Sequence, residues 1–301
     1  MWSLLKLKKK GRKPAEAVNY PKDWPSPAKP EPAYPIKVNE SVFELYAPVG
    51  QAQLDIVFFH GLQIGTYKTA FVETWQSGSH CWPRTWLPVD FPNARILSIS
   101  YDSSARRSKV EGRVDLKQLG EILLEDVICS AAVGEKCPVI MVGHSLGGIV
   151  IKQLCLEAER NMNTHVHRNK YVKKFLKHLK GIFYFSVPHG GSQLANLAKN
   201  YIPSPGAMLD YLTVLSTHTE EINEAFVKLR KAHKWRAMAV SENVITRIGP
   251  FRAIVVTQES ASRDVDEFIL LEEDHVSICK PKSPDSPSYV HFKNFVITVI
   301  Y

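Results

Sequence analysis

The residues best placed to do chemistry are Ser145, inside Gly143-His144-Ser145-Leu146-Gly147, and the histidines late enough in the chain to serve it. This G-x-S-x-G follows the apolar run Val139-Ile-Met-Val142 and precedes the apolar Ile149-Val-Ile151. That is the setting of a strand, a sharp turn and a helix. Such a turn holds the serine in a strained conformation with its Oγ exposed at the helix N-terminus, and side chains two before and two after would collide, hence glycine at both places. The bare pattern arises by chance in on the order of one chain in ten of this length. Its placement between a buried strand and an apolar helix makes it a nucleophile site, and the chemistry expected is acyl transfer from an ester to serine.

A serine nucleophile needs a base that follows it, with an acid between them in chain order. Of eleven histidines, His275 and His291 lie late enough. His275 closes Glu272-Glu-Asp-His275 after the apolar run Phe268-Ile-Leu-Leu271, so it leaves a strand for a loop; His291 lies in a terminal element that reads as packing on the core. His275 is the expected base. The acid leaves the strand before the one that carries the base, which selects Glu242, with Glu259 as the competing carboxylate; either could instead be a solvated surface charge. Leu54-Asp-Ile-Val-Phe-Phe-His60-Gly61-Leu62 reads as a strand ending where this kind of site supplies one oxyanion-binding amide. The expected donors are the backbone N–H groups of Leu62 (or Gln63) and Leu146. His60-Gly61 alone would be an ordinary strand-ending turn.

The elements that must position these groups are legible as short β-rich runs alternating with longer helical ones. Strands are expected at Asp55 to Phe59, Arg95 to Tyr101, Pro138 to Val142, Gly181 to Phe185, Trp235 to Ser241 and Ala253 to Thr257. The Val57 to Phe59 and Val139 to Val142 runs are apolar on both faces, as central parallel strands are. Leu116, Leu119, Leu123 and Val127 keep one helical face, as do Ile222, Ala225, Phe226 and Leu229 after a Thr217 to Glu220 capping-box signal. The fold class expected is α/β, an α/β-hydrolase fold with a mostly parallel central sheet and helices on both faces. Pro14 to Pro35 holds seven prolines in 22 residues, which favours an extended arm. The domain organisation expected is therefore a basic, Pro-rich arm over 1–35 and one hydrolase domain over 36–301.

Charge excludes one class of partner. The net charge is +8, but residues 1 to 13 hold six Lys/Arg and residues 160 to 180 hold seven, with no acid in either. Without those segments 25 basic residues face 30 acidic ones, so nucleic acid is not an expected partner. The five cysteines lack CxxC spacing and read as reduced thiols; neither a metal site nor a cofactor is expected. His165-Val-His167 has no third ligand at readable spacing and reads as a solvated loop. No apolar run approaches the ~18 residues of a spanning helix, and Met1 to Lys10 is too short for a signal-peptide core. The expectation is an intracellular protein, cytoplasmic or peripheral on a membrane.

Six motifs in order carry a resemblance: Val57-Phe-Phe-His-Gly-Leu62, Cys81-Trp-Pro-Arg-Thr-Trp-Leu-Pro-Val-Asp-Phe-Pro92, Arg95-Ile-Leu-Ser-Ile-Ser-Tyr101-Asp, Val142-Gly-His-Ser-Leu-Gly-Gly148, Val187-Pro-His-Gly-Gly-Ser192 and Asp274-His-Val-Ser-Ile-Cys-Lys-Pro281. Together they resemble the lipase-like "serine active site-containing" esterases, relatives of the GPI inositol deacylases, from about residue 52 to the C-terminus. The resemblance implies an α/β-hydrolase fold, a Ser145, Glu242 and His275 triad, and an ester or lipid substrate. It also implies a link, in some relatives, to phospholipid remodelling at organelle membranes, the mitochondrion or endoplasmic reticulum among them. The same residues would permit acyl transfer to an acceptor other than water, or a non-catalytic relative that binds a lipid or partner in the same cleft.

Between the elbow helix and the next strand, Val172, Phe175, Leu176 and Leu179 fall on one helical face, opposite Lys170, Lys173, Lys174, Lys177 and Lys180. Two readings stand: a sheet-covering helix with a solvated lysine face, or a peripheral contact of residues 170–180 and the N-terminal arm with an anionic membrane.

Overall fold

The runs that are apolar on both faces become the middle of a sheet. The computed structural model describes residues 35–62, 68–103, 116–163, 166–190, 207–248 and 251–301. Its main sheet consists of β1 (Ile36–Lys37), β2 (Val42–Tyr46), β3 (Leu54–Phe59), β4 (Ala94–Ile99), β5 (Val139–His144), β6 (Leu179–Phe185), β7 (Arg236–Glu242) and β8 (Glu267–Leu271). Their order is β1-β2-β4-β3-β5-β6-β7-β8, antiparallel from β1 through β2 to β4 and parallel from β4 to β8.

Side-chain alternation divides the core. Val57 and Phe59 of β3, with Val139 and Met141 of β5, face one side, while Ile56, Phe58, Ile140 and Val142 face the other. Four helices contribute residues to the first face: α1 (Leu116–Leu123), α2 (Leu146–Asn161), α3 (Val166–His178) and α4 (Ala207–His233). The second is covered by α5 (Pro287–Ile300), through Tyr289, Phe292, Phe295 and Val296, together with Trp75 and Trp82. Phe58 meets Trp75 edge-on at 4.9 Å and Trp82 at 5.3 Å, a contact that strengthens burial already worth about 1.5–3 kcal/mol per large apolar side chain. A mostly parallel sheet with helices on both faces is the fold class the sequence predicts.

Three local expectations change. Ala253 to Thr257 is not a strand of the main sheet: Phe251–Ala253 pairs with Thr246–Ile248 in a separate hairpin, and Thr257 then caps the helix Gln258–Ser262. The Thr217 to Glu220 signal starts nothing, because α4 already runs through it from Ala207. Leu116, Leu119, Leu123 and Val127 do pack on one face of the core, while the basic helix expected through Lys180 ends at His178 and gives Leu179 and Lys180 to β6. Pro35–Tyr301 form one unit, and the Pro-rich arm lies outside the described residues. Among the described residues no helix is long and apolar enough to cross a membrane.

Candidate active site

Strand register brings the expected residues to one edge. Phe59 lies opposite Gly143, His144 opposite Phe185, Phe185 opposite Val240, and Glu242 opposite Leu271. The chain therefore leaves β3, β5, β6, β7 and β8 at the same C-terminal edge, where ligands bind in parallel α/β sheets.

Ser145 stands between β5 and α2 with φ 52° and ψ −124°, a strained conformation for a residue with a Cβ, costing about 1–3 kcal/mol. Its N–H donates to the Phe185 carbonyl at 3.0 Å, and its carbonyl accepts from Gly148 N–H at 3.1 Å. A Cβ on Gly143 would lie 2.7 Å from Gly148 Cα. One on Gly147 would run into the carbonyl oxygens of Phe59 and His60. The two glycines are thus required by different neighbours, the first turn of α2 and the end of β3.

His275 Nε2 lies 3.0 Å from Ser145 Oγ, and His275 Nδ1 lies 3.1 Å from Glu242 Oε2. An ionised carboxylate only accepts, so Nδ1 carries the proton and Nε2 is left to accept from the serine hydroxyl. Glu242 is 1% exposed, and its Oε1 accepts from Val255 N–H at 3.0 Å and Val256 N–H at 2.8 Å. Burial pushes this carboxyl up, but hydrogen bonds from His275 and Ser186, the His275 charge and the Val256 amide outweigh it and hold it below the usual range. Glu259 is exposed in the first turn of the helix Gln258–Ser262, so the carboxylate brought to His275 is that of Glu242. His291 lies on α5, among core-packing residues.

Gly61, the residue before Leu62, comes so near the turn that a Cβ there would sit 2.9 Å from Ser145 Cβ. Leu146 opens α2, so its N–H has no acceptor within the helix. Gln63 lies outside the described residues. His60 is fully buried; it donates through Nδ1 to Gly61 O at 2.9 Å and stacks on Tyr101 at 4.1 Å. Burial lowers its pKa to about 4, so it is neutral and structural, fixing the end of β3.

Groups without a sequence signal complete the surroundings. Ser186, with φ 45°, accepts from Glu242 N–H at 3.1 Å. His144 and Thr246 contact the backbone of His275. Each contact joins residues far apart in the chain, which periodicity and spacing do not encode. Close in the chain to Glu242 and His275, Val244, Ile245 and Val276 are exposed at 40%, 53% and 48%.

The basic helix α3 buries Val172, Phe175 and Leu176, and from its outer face Lys174 pairs with Glu135 at 3.1 Å and Arg168 with Glu125 at 2.9 Å. It covers the sheet, and Lys170, Lys173 and Lys177 remain exposed. His165 lies outside the described residues.

The chain is 31% identical over 263 residues to protein SERAC1 of Danio rerio, covering 80% of this chain and 38% of that protein. It is 28% identical over 282 residues to protein SERAC1 of Homo sapiens, covering 86% and 41%. The chain thus spans about two fifths of the length of these curated relatives. No family model matches it. Among solved structures, the lipase BlEst2 of Bacillus licheniformis in mature form superposes with a TM-score of 0.52 at 18% identity, covering 86% of this chain and 98% of that one. Sheet order, strand-edge site and this superposition agree: the chain has the α/β-hydrolase fold that esterases and lipases share.

Proposed function

We propose that this chain is a serine carboxylic ester hydrolase, with Ser145 as nucleophile, His275 as general base and Glu242 as the acid that orients it. The observation that carries the reading is the continuous relay from Ser145 Oγ to His275 Nε2 at 3.0 Å and from His275 Nδ1 to Glu242 Oε2 at 3.1 Å. His275 takes the serine proton as Oγ attacks the ester carbonyl. The backbone N–H groups of Leu62 and Leu146 hold the resulting oxyanion, and His275 then protonates the leaving alcohol. Water, activated by the same imidazole, releases the acid from the acyl-enzyme and restores the serine.

The substrate is an apolar acyl ester, and its proposed class is a lipid. This rests on the exposed aliphatic side chains of Val244, Ile245 and Val276, near the acid and the base in the chain. Membership in the lipase-like "serine active site-containing" esterases, relatives of the GPI inositol deacylases, is part of the same proposal and rests on the six ordered motifs. Purified protein should hydrolyse short-chain p-nitrophenyl esters. Ser145→Ala should abolish that activity, and undiminished hydrolysis by the variant would remove the assignment.

Peripheral contact with anionic membrane through residues 170–180 and the N-terminal arm completes the proposal, in an intracellular protein at an organelle surface. It rests on the lysines that α3 leaves exposed. Neutralising Lys173, Lys174 and Lys177 should weaken binding to phosphatidylserine vesicles by roughly 3 kcal/mol, over a hundredfold, with ester hydrolysis unchanged. Equal sedimentation of both proteins at low salt would leave these lysines as a solvated face.

A further inference from the structure

Two side chains outside the relay grip the peptide groups of its base. His275 N–H donates to Thr246 Oγ1 at 2.8 Å, and His275 C=O accepts from His144 Nε2 at 2.8 Å. Thr246 is 3% exposed and His144 9% exposed, so neither contact competes freely with water. A carbonyl only accepts, so the His144 tautomer is set with its proton on Nε2. Burial, then the neighbouring His275 charge, lowers the His144 pKa to about 3, which keeps that neutral donor in place at working pH.

The two clamps come from different elements. His144 is the last residue of β5, immediately before Ser145, so it ties the base to the nucleophile's own turn. Thr246 begins the hairpin Thr246–Ile248/Phe251–Ala253, whose exit supplies the Val255 and Val256 amides to Glu242 Oε1. One excursion between β7 and β8 therefore holds the base at its start and the acid at its end. The bland account is that Thr246 and His144 merely satisfy buried polar groups.

We propose that His144 and Thr246 are positioning residues, which fix the main chain of His275 so that its imidazole reaches Ser145 and Glu242 together. This rests on the assignment of His275 as base. With the backbone held on both sides, the ring has only its side-chain torsions left, and Glu242 fixes those. Releasing either hold lets the ring drift, and displacement by ~1 Å costs up to ~10²-fold in rate.

The test compares Thr246→Val, which keeps shape and loses the acceptor, with Thr246→Ser, which keeps the acceptor, alongside His144→Leu and the Thr246→Val/His144→Leu double variant. Steady-state hydrolysis of p-nitrophenyl butyrate, thermal unfolding and the downfield Nδ1–H proton resonance of His275 are read for each. That resonance is assigned by its loss in His275→Gln. Thr246→Val and His144→Leu should each lower kcat about tenfold to a hundredfold at nearly unchanged KM and broaden the His275 resonance. Thr246→Ser should restore kcat to within about threefold, and the double variant should fall less than the product of the singles, because both hold one residue. Failure of Thr246→Ser to restore kcat, a kcat for Thr246→Val within twofold of the parent, or losses that follow only the unfolding temperature would overturn the proposal. If the parent shows no Ser145-dependent turnover, the esterase reading fails by itself. The resonance still decides the positioning: an unchanged line in both single variants would contradict it.

Discussion

Two buried polar clusters are built on helix α2, one at its first turn and one two turns further on, and they differ in what their strain and exposure permit. At the N-terminus, Ser145 holds a positive φ, is half-buried, and ends a relay whose imidazole side chain is 11% exposed. Further along, Lys152 is 2% exposed; it donates to His189 Nδ1 and to Asn223 Oδ1 at 2.5 Å, and Asn223 donates to Asp264 at 2.8 Å. Burial pushes the Lys152 amine well below its ordinary pKa, and burial together with the Lys152 charge does the same to His189. Both clusters contain an imidazole and a carboxylate. In the first the carboxylate meets the imidazole directly and the other ring nitrogen faces an open serine, so a proton has somewhere to go. In the second the carboxylate, on the exposed Asp264, is separated from the imidazole by an amide and a lysine, and Lys152, His189 and Asn223 are buried between α2, α4 and the segment after β6. The first arrangement can do chemistry; the second fastens elements together.

The sharpest way to break this comparison is to remove the acid. Glu242→Gln should lower kcat by ~10⁴, the loss that follows when an imidazole is held in the wrong tautomer, while Glu259→Gln should leave it unchanged. The reverse pattern in initial-rate assays would move the acid to Glu259. Lys152→Met should act on stability instead. It leaves two buried acceptors without their donor, at about 1–3 kcal/mol each, so the urea midpoint should fall while kcat stays within a fewfold. A kcat loss of a hundredfold in a well-folded Lys152→Met protein would show that the second cluster is not merely a fastening.

Acid should weaken the fold, because burial keeps His60, His144 and His189 neutral. His60 and His144 have folded-state values of about 4 and about 3, below the ordinary 6.5. The unfolded chain therefore takes up protons first as pH falls, and stability present above pH ~6.5 is lost on the way down. Between pH 7 and pH 5 each should account for roughly 2 kcal/mol of that loss. Urea titrations at the two pH values check it, and a midpoint that does not fall would mean these histidines accept protons in the folded state.

The sharp turn at Ser145 and the central strands are readable because their causes are local. Gly143 and Gly147 are needed wherever a strand turns sharply into a helix, and Val139 to Val142 must be apolar on both faces to lie mid-sheet. Chain order points to Glu242, and Glu259 competes with it because the sequence pattern predicts a strand over Ala253 to Thr257. The amides of Val255 and Val256 bind Glu242 Oε1 instead of a neighbouring strand, and no propensity encodes that. Lys152 was silent for a similar reason: a lysine within Ile149-Val-Ile-Lys-Gln-Leu reads as a helix surface position, and only α4 and the segment after β6 make it interior. Thr217 to Glu220 has the form of a helix start, yet α4 passes through it.

The central claim is that Ser145 is an activated nucleophile, and covalent labelling tests it without any assumption about substrate. Incubated with a fluorophosphonate, the protein should gain one adduct in its intact mass, lying on the peptide that contains Ser145. Ser145→Ala should gain none, and Glu242→Gln should label far more slowly. An unlabelled parent protein, or an adduct that persists in Ser145→Ala, would contradict the claim.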